Sequence, residues 1–273
     1  MKYRFIDLFA GAGGLSEGFI RAGYEAIAHI EMDHYACDSL KTRAAFHYLK
    51  ENEKLDIYED YLKNKKEKTD GSWLWNQVPK HVIDSVIQEA IGKETLPSLF
   101  ERVDKLCNGK PIDMIIGGPP CQAYSVAGRA RLGKKIEEDP RNNLYKFYVE
   151  FLKRYRPKMF VFENVLGILT AKGGEPFRDL IRLVRELDYD IDFREQIASQ
   201  HGVLQKRHRV IIVGWQKKRD TQENTSYHYP YLLEEQMPYK IMKDLFCDLP
   251  VIKAGEGTLC GIVHYTKPLA DME

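Results

Sequence analysis

Long apolar runs are missing from this 273-residue chain, so it offers no helix of the length and hydropathy that would span a bilayer. A dominant charge sign is missing too: Lys and Arg total 41, Asp and Glu 40, and the formal net charge is +1. That excludes a global electrostatic pull towards nucleic acid or membrane, so any polyanion site must be a local patch. The five cysteines (Cys37, Cys107, Cys121, Cys247 and Cys260) are scattered, and none forms a Cys-x-x-Cys pair. A zinc site therefore has no local support and no metal is expected. An odd, dispersed set points to reduced thiols in a cytoplasm. Asp7 interrupts the first apolar stretch, which is not the pattern of a secretory signal. Internal repeats and low-complexity tracts are absent as well. What is present, 44% hydrophobic and 30% charged residues, is ordinary for a globular protein of one large domain, or one domain and part of a second.

The apolar pattern predicts strands over 3–9, 26–31, 112–116, 159–162, 191–197 and 210–215. Helical spacing lies between them, over 15–22, 34–49, 142–155 and 176–187. Residues 51–97 read as a helical insertion packed on the main sheet, with Trp73, Leu74, Val78, Val82, Ile83, Val86 and Ile87 at helical spacing. Its aromatics suit a core better than a cofactor site. Segment 123–139 reads as a long mobile loop carrying Arg129, Arg131, Lys134 and Lys135. Strands alternating with helices indicate an α/β fold with a mostly parallel sheet covered on both faces.

Four places carry chemistry. The first is Gly117-Gly118-Pro119-Pro120-Cys121-Gln122 after the apolar run Met114-Ile115-Ile116. Glycines permit conformations that other residues resist, and prolines stiffen the chain, so the thiol sits on a rigid loop at a strand's carboxyl end. A cysteine after an apolar strand is commonly core packing, but this setting is stiff, polar and turning outward, which suits a nucleophile. The other four cysteines lack it.

The second is Asp7-Leu8-Phe9-Ala10-Gly11-Ala12-Gly13-Gly14, where a strand becomes a helix, with Glu31 ending the next strand. Such a loop suits a nucleotide-like ligand, with the strand-end acid accepting ribose hydroxyls. A dinucleotide site and a ligand-free turn are the alternatives. Asp7 would repel a pyrophosphate, which favours S-adenosylmethionine over NAD. The third place is Glu163, after Met159-Phe160-Val161-Phe162, either a solvated strand-end acid or a half-buried proton carrier. The fourth is Gln205-Lys206-Arg207-His208-Arg209, where alternation puts Arg207 and Arg209 on one face. A charge run is usually a solvated face, yet arginines beside a nucleophile can hold a carbonyl or a phosphate.

In this order, the four segments resemble the cytosine-C5 DNA methyltransferase family. The matches are Asp7 to Ser16, Gly118-Pro119-Pro120-Cys121-Gln122 with Ser125, Glu163-Asn164-Val165, and Gln205-x-Arg207-x-Arg209, and they extend to about residue 215. The resemblance implies a class I, Rossmann-like S-adenosylmethionine-dependent methyltransferase fold. It implies Cys121 adding to carbon 6 of a cytosine turned out of double-stranded DNA, with Gln122 beside it. Glu163 contacts the ring at N3 and the amine, and Arg207 and Arg209 hold the base. Phe9, Gly11, Ala12, Gly13, Gly14, Leu15, Glu31, Met32 and Pro119 bind the cofactor, whose product is S-adenosylhomocysteine. No membrane is implied, and the setting is a bacterial cytoplasm. The alternatives are a catalytically incomplete subunit or fragment that binds cofactor or nucleic acid without turnover, and an RNA cytosine-C5 methyltransferase built on the same core.

Two departures accompany the resemblance. The family's aspartate-bearing turn before the cysteine strand has only Ser98-Leu99-Phe100 as a counterpart here, without the acid. The family's terminal Gly-Asn segment has none. The expected organisation is a catalytic domain over 1–235 and the start of a target-recognition region over 236–273. The remaining motifs are expected in missing sequence or on a second chain.

Overall fold

The computed structural model describes residues 2–63, 71–120, 143–217, 229–230 and 249. Contacts divide the chain into two compact units, Met1–Glu195 with Arg209–Tyr229 and Gln196–His208 with Pro230–Glu273. The strands are β1 (Arg4–Leu8), β2 (Glu25–Glu31), β3 (Val86–Gln88), β4 (Met114–Gly117), β5 (Met159–Asn164), β6 (Tyr189–Ile197) and β7 (His208–Gln216). They form one seven-stranded sheet in the order β3-β2-β1-β4-β5-β7-β6. β1 pairs in parallel with both β2 and β4, β3 adds to β2 and β5 to β4 in parallel, and β7 runs antiparallel to β5. Every residue of β1 and β4 is buried. Continuous burial of this kind requires cover on both faces, which is the normal state of parallel strands.

Neighbouring residues on β1 point to opposite faces, and each face has its own helices. Ile6 and Leu8 join Ile115, Phe160 and Phe162 in one core with residues of α6 (Leu96–Cys107), α7 (Leu144–Tyr155) and α8 (Glu175–Glu186). Phe5 packs on the other side with Met114 and Ile116, beneath Phe19 and Ile20 of α1 (Gly14–Arg21). There, α2 (His34–Glu51) sets Cys37 and Leu40 against Ala10 and Val86. The N-terminus of α2 is capped by Asp33, whose carboxylate accepts from Ala36 N at 2.8 Å.

The insertion departs from expectation in two ways. α3 (Leu55–Lys63), α4 (Ser72–Trp75) and α5 (Lys80–Asp84) pack chiefly on α2, and α5 also touches the sheet, at its edge strand β3. Leu74, Val78 and Tyr61 close over Ala45 and Leu49, with Trp73 and Trp75 alongside, so α2 is sandwiched between the sheet and a satellite core. Val86 and Ile87, read from spacing as helical, instead form β3 at the edge of the sheet. Two consecutive β-branched residues beside an unpaired strand gain more from pairing than from extending a helix. Helix α6 went unrecognised in the sequence. Its Leu99 is fully buried in the core, so Ser98-Leu99-Phe100 is helix, not a rim turn.

One polar side chain ties β4 and β5 together from beneath. Tyr148 on α7 is fully buried, and its hydroxyl lies 3.0 Å from Ile115 O on β4 and 3.1 Å from Val161 O on β5. Burial holds its phenol well above the usual range, so it stays a donor. Tyr148→Phe removes this bond while keeping the ring, and is expected to cost about 1–2 kcal/mol in urea denaturation at neutral pH.

Candidate active site

In the order β2-β1-β4, the chain leaves β1 in one direction and returns on its other side at β4. The carboxyl ends of β1 and β4 therefore flank the crevice where open α/β sheets hold ligands. Phe9–Gly14 and Gly118–Pro120 both open there.

The glycine loop is sharply wound, with positive φ at Phe9 (56°), Gly11 (54°) and Gly13 (85°). A Cβ on Gly13 would lie 2.9 Å from Leu40 and 3.3 Å from Arg43, so packing against α2 also demands glycine there. Gly11 and Gly14 face open space, and Ala12 is exposed. Arg43 fastens the loop from α2 by donating from Nε to Ala12 O at 3.0 Å. The Leu15 side chain turns away into the apolar cluster under α1.

Glu31 holds the other rim. Its Oε1 accepts from Met32 N at 2.8 Å and Asp33 N at 3.0 Å, and its Oε2 accepts from Gly11 N at 2.8 Å. A carboxylate has about four lone-pair sites, so one remains for a ligand hydroxyl while these three bonds stand. Met32, 68% exposed, presents an apolar side chain beside it. Glu89 follows β3 at this same edge, and its N–H donates to Glu31 O at 2.9 Å. A β-branched pair followed by an acid was its signal, hidden by the helical reading of Val86 and Ile87.

Asp7 does not face the crevice. It is 1% exposed, and its carboxylate lies 3.7 Å from His29 Nδ1. Burial raises its pKa, opposed by His29, so the argument that Asp7 repels a phosphate loses its force. The donors and acceptors that do face the crevice are Glu31 and the loop backbone. One strand-end acid, an exposed methionine and a glycine cradle fit a nucleoside-bearing sulfonium cofactor.

On the β4–β5 side, Glu163 and Arg209 meet: Arg209 Nε donates to Glu163 Oε1 at 2.6 Å, both half-buried. They come from antiparallel neighbours, Glu163 opposite Ile211 on β7. A Cβ on Gly118 would lie 2.5 Å from Glu163 Oε2 and 3.2 Å from Glu163 O, so the carboxylate occupies the space that a side chain at 118 would fill. Gly117 packs so closely on β1 that a Cβ would collide with Leu8 O. Asn164, buried at 4%, went unassigned in the sequence reading beyond its place in a motif. Its Nδ2 donates to Pro119 O at 3.2 Å and its Oδ1 accepts from Val165 N at 2.8 Å, binding the base of the cysteine loop to β5. Pro119 is buried and Pro120 exposed.

Cys121, Gln122 and loop 123–139 lie outside the described residues, as does most of 236–273. Arg207 is exposed and belongs to the second unit, where its carbonyl accepts from Ala198 N at 2.9 Å. Cys37 and Cys107 are buried, and burial pushes the Cys37 thiol up to about 11 and raises that of Cys107, so both are poor nucleophiles. Among the described residues no group of three or more His, Cys, Asp or Glu side chains is placed to hold a metal ion, and no helix is long and apolar enough to cross a membrane.

A glycine cradle and strand-end acid at the switch point of this sheet define a class I methyltransferase fold. The chain belongs to the C-5 cytosine-specific DNA methylase family, whose sequence profile matches residues 3–71 and 89–257. It is similar to type II methyltransferase M.Bpa9945I of Bacillus paralicheniformis, 32% identical over 92% of this chain and 62% of that protein. It is also similar to type II methyltransferase M.FnuDI of Fusobacterium nucleatum, 33% identical over 90% of this chain and 55% of that protein. A solved E. coli prophage-encoded protein, described as a DNA modification methyltransferase, matches 92% of this chain and 56% of its own. It does so with a TM-score of 0.56 and 27% identity. The chain thus spans between half and two thirds of the length of these relatives.

Gly118→Ala is expected to displace the Glu163 carboxylate and part it from Arg209, with a stability loss of about 1–3 kcal/mol from the enforced shift. A crystal structure of the variant in which the 2.6 Å bond persists would contradict the close approach on which this depends.

Proposed function

We propose that this chain is the catalytic part of a DNA cytosine-C5 methyltransferase acting on double-stranded DNA. The observation that carries the reading is the Glu163–Arg209 pair, 2.6 Å apart over Gly118, at the edge where β4 ends, four residues before Cys121 in the sequence. Carbon 5 of cytosine is a weak nucleophile. Addition of the Cys121 thiolate at carbon 6 turns the ring into an enamine, and carbon 5 gains the electron density to form a new carbon–carbon bond. Glu163 contacts N3 and the exocyclic amine as charge develops there, and Arg209 holds the ring carbonyl. Each is stronger for the adduct than for the free base, which is where binding lowers the barrier. Their mutual ion pair keeps both aimed before a base arrives. Release of the carbon 5 proton then lets the sulfur leave and restores the ring.

S-adenosylmethionine, when bound, supplies the electrophilic methyl group and leaves as S-adenosylhomocysteine. Glu31 would hold its ribose, taking the second hydroxyl by giving up the Gly11 N–H. Met32 and Phe9 would flank the adenine, Glu89 would reach its amine, and Gly11–Gly14 with Pro119 would line the rest. Carbons 5 and 6 cannot be reached inside a stacked duplex, so the base must leave the helix. Arg129, Arg131, Lys134, Lys135 and Arg207 are the nearby cations in sequence for phosphate contacts. Gln122 stands next to the nucleophile. A bacterial cytoplasm is the setting that this reading implies, in keeping with the bacterial sources of the similar type II methyltransferases.

The test is trapping on a duplex oligonucleotide bearing 5-fluorocytosine, because fluorine cannot be released as the carbon 5 proton is. Incubation with S-adenosylmethionine should give a covalent complex, with peptide mass spectrometry placing the adduct on Cys121. Attachment at another residue, or trapping on a fluorinated RNA stem-loop in preference to DNA, would overturn the reading. Glu163→Gln should slow adduct formation by about 100-fold or more.

A further inference from the structure

The buried acid that the proposed chemistry leaves unused sits beneath the cofactor crevice. Asp7 and His29 face each other across β1 and β2 in register, with Asp7 Oδ2 and His29 Nδ1 3.7 Å apart. Asp7 is 1% exposed and His29 5%, and neither Asp7 oxygen nor His29 Nδ1 has a hydrogen-bond partner. Two buried, unpartnered groups of opposite proton affinity in this position are costly unless they act together.

Their place in the sequence gives them a use. Asp7 precedes Phe9 by two residues and His29 precedes Glu31 by two, so each lies one strand period below a crevice residue on its own strand. Above them, the same two chain segments are joined by Ala10 N to Ile30 O at 3.1 Å and Gly11 N to Glu31 Oε2 at 2.8 Å. The contact at Asp7–His29 therefore lies directly beneath the bonds that set the glycine loop against Glu31.

We propose that Asp7 and His29 share one proton and act as a positioning pair for the cofactor site. The inference rests on the cofactor reading above. With one proton between them the pair is neutral overall, as carboxylic acid and imidazole or as carboxylate and imidazolium. Loss of that proton at high pH leaves a buried anion under the loop, and the β1 and β2 ends must separate to hydrate it. Burial already raises the Asp7 pKa, which is the direction that favours keeping the proton. The other titratable groups around the pair are Glu31 on β2, Glu17 on α1, Arg43 and His47 on α2, His81 on α5 and Tyr148 on α7. Glu17 is already engaged, 2.9 Å from His47 and 3.5 Å from Arg43, so it does not supply the missing partner.

The experiment measures S-adenosylhomocysteine binding by calorimetry across neutral and alkaline pH, beside an NMR titration of the His29 ring protons. Wild type should bind with constant affinity through neutrality and lose about tenfold, equivalent to one pKa unit, on the alkaline side. His29→Phe keeps an aromatic ring against Phe5 but leaves Asp7 to ionise alone, so its loss of affinity should begin at lower pH. Asp7→Asn with His29→Phe should restore the affinity and flatten the profile. A purely structural role would give the same pH profile in all three proteins, and that outcome overturns the proposal. Failure of wild type to bind the ligand sinks the cofactor reading instead. The NMR titration then decides the pairing by itself. Asp7→Asn should change how the His29 ring signals respond to pH, and an unchanged response rejects the shared proton.

Discussion

The close approach of β4 to β1 governs the rest of the molecule. Gly117 lies against Leu8 O with no room for a side chain, in parallel register with it. Parallel pairing at that point brings two carboxyl-terminal loops side by side although more than a hundred residues separate them. One loop is wound by positive φ at Phe9, Gly11 and Gly13, and the other is stiffened by Pro119 and Pro120. The helices on both faces exist in service of this contact, because parallel strands must be covered to persist. α7 adds Tyr148 under β4 and β5, and α2 adds Arg43 against the first loop.

From that contact the two halves of the crevice acquire different characters. The β1–β2 side is a lattice of backbone donors gathered on the carboxylate of Glu31, suited to a polar ligand with hydroxyls. The β4–β5 side carries the charged pair Glu163 with Arg209, standing in the space that Gly118 vacates. The first side offers shape and hydrogen bonds, the second charge. Family membership accounts for both. The sheet does not need the family to explain why they face each other, since the switch point does that by geometry.

Much of this was legible before the fold. The alternation of apolar runs with helical spacing gave the parallel sheet, because burial on both faces leaves an unmistakable run such as Met114-Ile115-Ile116. Glycines and prolines marked both crevice loops, because only those residues answer the backbone demands there. The misreadings share one cause, competition between neighbours that only tertiary structure settles. Val86 and Ile87 fit a helix locally and became β3 because β2 had a free edge. Asp7 looked like a loop acid and turned inward, because the strand's alternation carries it under α1 beside His29. Asn164 gave no separate signal, since an asparagine at a strand end is common and its partner, Pro119 O, is distant in sequence.

The two margins of the sheet show how such an open structure avoids sticking to itself. At one margin β3 offers only three residues, Val86–Gln88, too short a template for another strand to copy. At the other, β6 is nine residues long, but Asp190, Asp192, Arg194 and Glu195 interrupt its apolar side chains. Charges of both signs along an edge penalise an incoming strand at nearly every register. One margin is blunted by brevity and the other by electrostatics. Among the described residues, a sheet with a crevice at its middle thus has its sides closed to aggregation by two independent routes.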